Sequence, residues 1–119
     1  MPNSDRVIVY SSIDMPTAKG TLKSLNGSKF VAIYIIDEIQ YIYSGNITPN
    51  VGAFTVNKAT LTYDDKDQLT GTRSYTGQVG ITKVTFDIRN GPVAAGSLPD
   101  DGHVDPASSV VGAGSWNTA

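Results

Sequence analysis

Residues 29–36 read Lys-Phe-Val-Ala-Ile-Tyr-Ile-Ile, apolar at every position after the first. Phe30, Ala32, Tyr34 and Ile36 fall on one face of such a strand, and Val31, Ile33 and Ile35 on the other, because successive side chains point to opposite sides. Elsewhere the alternation is one-sided. Over Gly52–Tyr63 the apolar set runs Phe54, Val56, then Ala59, Leu61, Tyr63, and over Gly77–Ile88 it runs Val79, Ile81, then Val84, Phe86, Ile88. Both runs slip by one residue, at Asn57-Lys58 and at Thr82-Lys83, and such a slip inverts the buried face unless an extra residue is absorbed in a bulge or the strand passes between two packing environments. With Arg6-Val-Ile-Val-Tyr10 added, the pattern predicts about eight strands, near 5–12, 18–25, 29–37, 39–47, 53–63, 68–75, 78–88 and 93–98. No window carries a capped 3.6-residue stripe, so the chain is expected to be all-β. Asp37-Glu38, Asp64–Asp67 and Arg89–Pro92 have chain-reversing composition, and short connections favour antiparallel pairing in an up-and-down barrel or a two-sheet sandwich.

Glycine spacing adds a second pattern. Gly27, Gly52 and Gly77 stand 25 residues apart, and Gly20, Gly45, Gly71 and Gly96 keep nearly the same step. We read this as a repeat of about 25 residues, each unit a long strand, a polar turn and a shorter strand bent at glycine. Residues 1–98, which contain this repeat, are expected to form one antiparallel domain. Residues 99–119 remain as a C-terminal tail without a core-forming pattern of its own, expected to be ordered by packing on the domain or on a neighbouring subunit.

Composition narrows the function classes. The 119 residues make one domain, and the net charge of −2, with three arginines, argues against nucleic acid as a partner. With no cysteine, stability rests on packing or association. Neither a signal-peptide pattern nor an apolar run long enough to cross a bilayer occurs, which predicts a soluble chain, cytoplasmic at synthesis, without membrane insertion.

Candidate chemistry is sparse. His103, the single histidine, stands in a loop with Asp100, Asp101 and Asp105, where an imidazole beside carboxylates is the raw material of a metal site or general base. Asp64, Asp65 and Asp67 cluster without the ligand spacing of a calcium-binding loop. Both clusters are better explained as turns, so no catalytic residue, metal or cofactor is expected. Tyrosine and tryptophan combine a flat apolar face with a polar edge, which suits sugars and protein surfaces, and Tyr41, Tyr43, Tyr75 and Trp116 are therefore the candidate ligand-binding set.

Gly20-Thr21-Leu22 through Gly27-Ser28-Lys29-Phe30 resembles the start of avidin-type barrels, and Leu69-Thr70-Gly71-Thr72 is similar to a strand of that family. The likeness covers about fifteen residues and lacks an aromatic at the position of Leu22; it implies a barrel.

The doubly apolar strand points further. In a small one-core β-domain one face of each strand meets water, so Val31, Ile33 and Ile35, with Val110, Val111 and Trp116 of the tail, form the candidate interface set. The expected function is a non-catalytic, self-associating homo-oligomer with a structural or assembly role. A small carbohydrate-binding, lectin-like or other ligand-binding module is the alternative, and an enzyme using His103 stands behind both.

Overall fold

The computed structural model describes residues 15–119, which form eight antiparallel strands closed into a barrel. They are β1 (Thr17–Ser24), β2 (Lys29–Ile36), β3 (Ile39–Asn46), β4 (Phe54–Thr62), β5 (Thr72–Ile81), β6 (Lys83–Ile88), β7 (Val93–Ser97) and β8 (Val104–Thr118). The order around the barrel is β1-β2-β3-β8-β5-β6-β7-β4, with β4 pairing back to β1. The barrel alternative is the one realised, but its connections leave the up-and-down order. β1, β2 and β3 form a meander and β4 returns beside β1; β5, β6 and β7 form another and β8 returns beside β5. Each half has the strand order of a Greek key.

The expected strand over 5–12 lies outside the described residues, and the eighth strand comes from the presumed tail. β8 is the longest strand of the barrel, and it pairs with β3 from Tyr41↔Thr118 to Gly45↔Gly114 and with β5 from Thr72↔Ser115 to Ile81↔Val104. No domain seam falls at residue 98. Its inward positions are Val110, Gly112, Gly114 and Trp116, a sequence with so little apolar surface that alternation is invisible in it.

The slip at Asn57-Lys58 is a bulge: Gly20 pairs with Ala59 and Leu22 with Val56, so Thr21 alone faces two residues of β4. The matching slip at Thr82-Lys83 is something else. Val79 pairs with Val84, and the residues between turn the chain from β5 into β6. The 25-residue repeat dissolves for the same reason. Gly27 and Gly52 are loop residues with φ of +79° and +81°, whereas Gly77 lies inside β5 opposite Phe86. Glycines equally spaced in sequence occupy unequal places. The stretch similar to an avidin strand, Leu69–Thr72, is mostly loop, following a one-turn 3-10 helix over Lys66–Gln68.

The true correspondence is between halves. Gly20 on β1 faces Tyr34 on β2, and Gly77 on β5 faces Phe86 on β6. A Cβ would run into the backbone carbonyl of Ile33 in the first and of Thr85 in the second, and would stand 2.8 Å from Tyr34 Cδ1 and 3.0 Å from Phe86 Cδ1, so in each half the facing strand's backbone and its aromatic ring together take the space that a side chain would need.

The core is the barrel interior. Leu22, Val56, Ala59, Leu61, Val79, Val84 and Phe86 are wholly buried. An aromatic cluster fills the middle: Phe30 meets Tyr43, Tyr75 and Phe86 at centroid distances of 5.3, 5.5 and 5.1 Å, and Trp116 lies 4.8 Å from Tyr43. Ile47, Phe54 and Leu98 close one mouth, and Tyr63, Leu69 and Ile88 the other. The second mouth is tied by Gln68, whose Oε1 accepts from the backbone N–H of Asp64 (2.8 Å) and Asp65 (3.1 Å) while its Nε2 donates to Asn90 O at 2.6 Å.

Candidate functional site

A filled interior leaves only the outside for recognition. Tyr43, Tyr75 and Trp116, three of the four candidate ligand residues, are inward-facing and no more than 6% exposed, so their faces are spent on one another and are closed to a surface sugar. Tyr41 is half-buried at the β3 end of the same side. Two of the hydroxyls are anchored to backbone: Tyr43 donates to Arg73 O at 2.7 Å and Tyr75 to Asn46 O at 2.8 Å. The Tyr34 hydroxyl and Trp116 Nε1 are buried without a hydrogen-bond partner among the described residues. Burial pushes the Tyr43 hydroxyl up to about 12 and raises Tyr34 and Tyr75 further, because an ionised phenolate loses its hydration there.

The candidate interface set divides. Val110 and Trp116 belong to the core, while Val111 is outward and 52% exposed on β8, between β5 and the Thr48 bridge. Val31, Ile33 and Ile35 do form an outward row on β2, with Ile35 56% exposed. Ile42 joins them from β3, directly opposite Ile33. Its place was readable, since a two-residue turn at Asp37-Glu38 dictates that pairing. Both turn residues adopt the left-handed conformation, with φ of 52° and 68°.

The result is a compact aliphatic stripe with a polar border. On the β1 side Thr21 pairs with Ile33 and Lys23 with Val31; on the β8 side Ser115 pairs with Ser44 and Asn117 with Ile42. Most other outward positions have a different chemistry: Thr55, Thr60 and Thr62 on β4, Ser74, Thr76 and Gln78 on β5, and Lys83, Thr85 and Asp87 on β6; Ile81 on β5 and Val111 on β8 are isolated exposed aliphatics. A shallow depression of about 570 Å³ lies on that polar side, lined by Ser74, Thr76, Asp87, Arg89 and Val111 over the Tyr75 ring.

The acidic clusters serve the turns. Asp65 caps the 3-10 turn by accepting from the Asp67 N–H at 2.9 Å, and Asp100 and Asp101 begin the short 3-10 turn before β8. His103 is exposed where that turn ends. Among the described residues no group of three or more His, Cys, Asp or Glu is arranged to hold a metal ion, and no helix is long and apolar enough to cross a membrane.

Comparison with protein families, with curated proteins and with solved structures gives no match.

Proposed function

We propose that the protein is a non-catalytic, self-associating β-barrel with a structural or assembly role. The observation that carries this reading is the aliphatic stripe of Val31, Ile33, Ile35 and Ile42 on the outside of a barrel whose inside is already filled. A packed core gains nothing from these side chains facing water, and an apolar patch rimmed by polar residues is the ordinary form of a protein contact. The Thr, Ser, Lys and Asp around the rest of the circumference lack the continuous outward apolar band of a lipid-facing barrel.

Light scattering across a concentration series tests the reading. The native chain is expected above its 12.6 kDa monomer mass, and Ile33→Lys, which puts a charge in the middle of the stripe, is expected to return it to monomer. A native chain that stays monomeric at every concentration sinks the proposal. Circular dichroism and a melting curve of the variant confirm that the barrel is intact.

A further inference from the structure

The stripe is small. Its four side chains, three of them half-buried, expose on the order of 200–300 Å², against roughly 800 Å² per partner in a standard protein interface. Two copies pressed stripe to stripe would cover too little apolar surface for a stable pair. A single extended segment fits the shape better: from Val31 to Ile35 the row is about 13 Å long at the strand rise, one β-segment wide, with hydroxyl and lysine borders.

The chain itself carries such a segment. Fourteen residues precede the described part, among them Arg6-Val-Ile-Val-Tyr10, an apolar run outside the eight described strands. Five residues of extended chain also span about 13 Å. The exit matters as well. Pro16 O accepts from the Tyr63 N–H at 3.1 Å, so β1's line continues past the foot of the barrel beside β4, and Pro16 holds Met15 extended. At Pro16 the described chain is therefore headed along the strand axis. Fourteen residues reach roughly 46 Å at full extension, enough to place the run on an adjoining barrel.

We propose that the stripe on β2 and β3 is the seat for the Val7–Tyr10 run of a second copy, an exchanged N-terminal arm. This rests on the self-association reading and specifies its contact. A closed barrel has no free edge, so the arm is recognised through side chains: one alternate pair, Val7 and Val9 or Ile8 and Tyr10, meets Ile33, Ile35 and Ile42.

Cysteine pairing tests it cleanly, because the chain has no cysteine of its own. Ile8→Cys and Val9→Cys probe the two sides of the arm, Ile33→Cys the stripe, and Thr85→Cys the equivalent outward position on β6. Single variants of the full chain are oxidised alone and in mixtures, and the products are read on a non-reducing gel, since a disulfide forms only where the two Cα atoms come within about 7 Å. The expected result is a crosslinked dimer from Ile33→Cys mixed with Ile8→Cys or Val9→Cys, and none from the same arm variants mixed with Thr85→Cys. Self-crosslinking of Ile33→Cys without any arm–stripe product overturns the arm while leaving self-association standing. Equal crosslinking to Thr85→Cys overturns it as non-specific contact. If the Val9→Cys, Ile33→Cys double variant closes its disulfide only within one chain, the arm folds back on its own barrel and the exchange is wrong. Absence of every crosslink, with a monomeric native mass, removes the self-association reading as well.

Discussion

β2 and β6 hold the same place in the two Greek keys, and their inward faces are alike: Phe30, Ala32, Tyr34 and Ile36 on one, Val84, Phe86 and Ile88 on the other. Their outward faces are opposites. β2 presents Val31, Ile33 and Ile35, and β6 presents Lys83, Thr85 and Asp87. The barrel therefore asks only for the inward set. β6 shows that a strand in this position closes the sheet with a polar outside, so the aliphatic outside of β2 answers to something other than the fold.

The largest test of that division is on the inward side. Tyr34→Ala and Phe86→Ala should each cost about 3–5 kcal/mol in urea unfolding, the usual loss for deleting a buried aromatic. An exchange on the outward side should behave differently. Ile33→Thr, which gives β2 the residue that β6 has at Thr85, is expected to move stability by less than about 0.5 kcal/mol, yet to weaken association. If it destabilises the barrel as Phe86→Ala does, the stripe serves the fold and the comparison fails.

Alkaline pH reads the interior without mutation. Tyr34, Tyr43 and Tyr75 have folded pKa values raised above the unfolded one, about 12 for Tyr43, so the neutral form is favoured by folding. Their stabilising contribution is complete below pH about 10 and is lost as pH climbs towards about 12 and beyond. The urea midpoint should fall across that window, with tyrosinate absorbance from these three appearing only as the barrel opens. Titration of every tyrosine near its ordinary value with the fold intact would show a wet interior. Smaller effects separate the hydroxyls: Tyr43→Phe and Tyr75→Phe each lose a hydrogen bond worth about 1 kcal/mol, while Tyr34→Phe, with no partner among the described residues to lose, should be neutral or stabilising. The smallest effect belongs to Lys66→Ala. It removes the exposed ion pair with Asp37 that links the 3-10 turn to the β2–β3 hairpin, and no change in melting temperature is expected, because exposed pairs are screened by water and salt.

Much of the barrel was legible from alternation. β1 to β4 and β7 lie within a residue or two of their expected bounds, because each carries apolar residues at every second place with a polar turn between. The phase slip at Asn57-Lys58 was legible too, and an absorbed extra residue is how β4 reconciles its two phases. The same phase slip at Thr82-Lys83 is a reversal of the chain, and no local signal distinguishes the two. Sequence reasoning also took Tyr43, Tyr75 and Trp116 for surface candidates, because aromatic side chains serve cores and binding faces equally well.

What the chain's order of residues determined by itself was the class and the anomaly: an all-β domain, and one strand apolar on both sides. Those depend on periodicity, a local property. Which strands far apart in sequence are neighbours was decided by the tertiary structure alone. β8 could not be read because Gly112 and Gly114 interrupt the inward series between Val110 and Trp116; it is a strand because β3 and β5 supply hydrogen-bond partners on both its edges. The same closure decided which candidate residues reach the surface. Once the barrel was sealed around its aromatics, Trp116 became core and Val111 was parted from β2, whereas Ile42 stands beside Ile33 through the local β2–β3 hairpin.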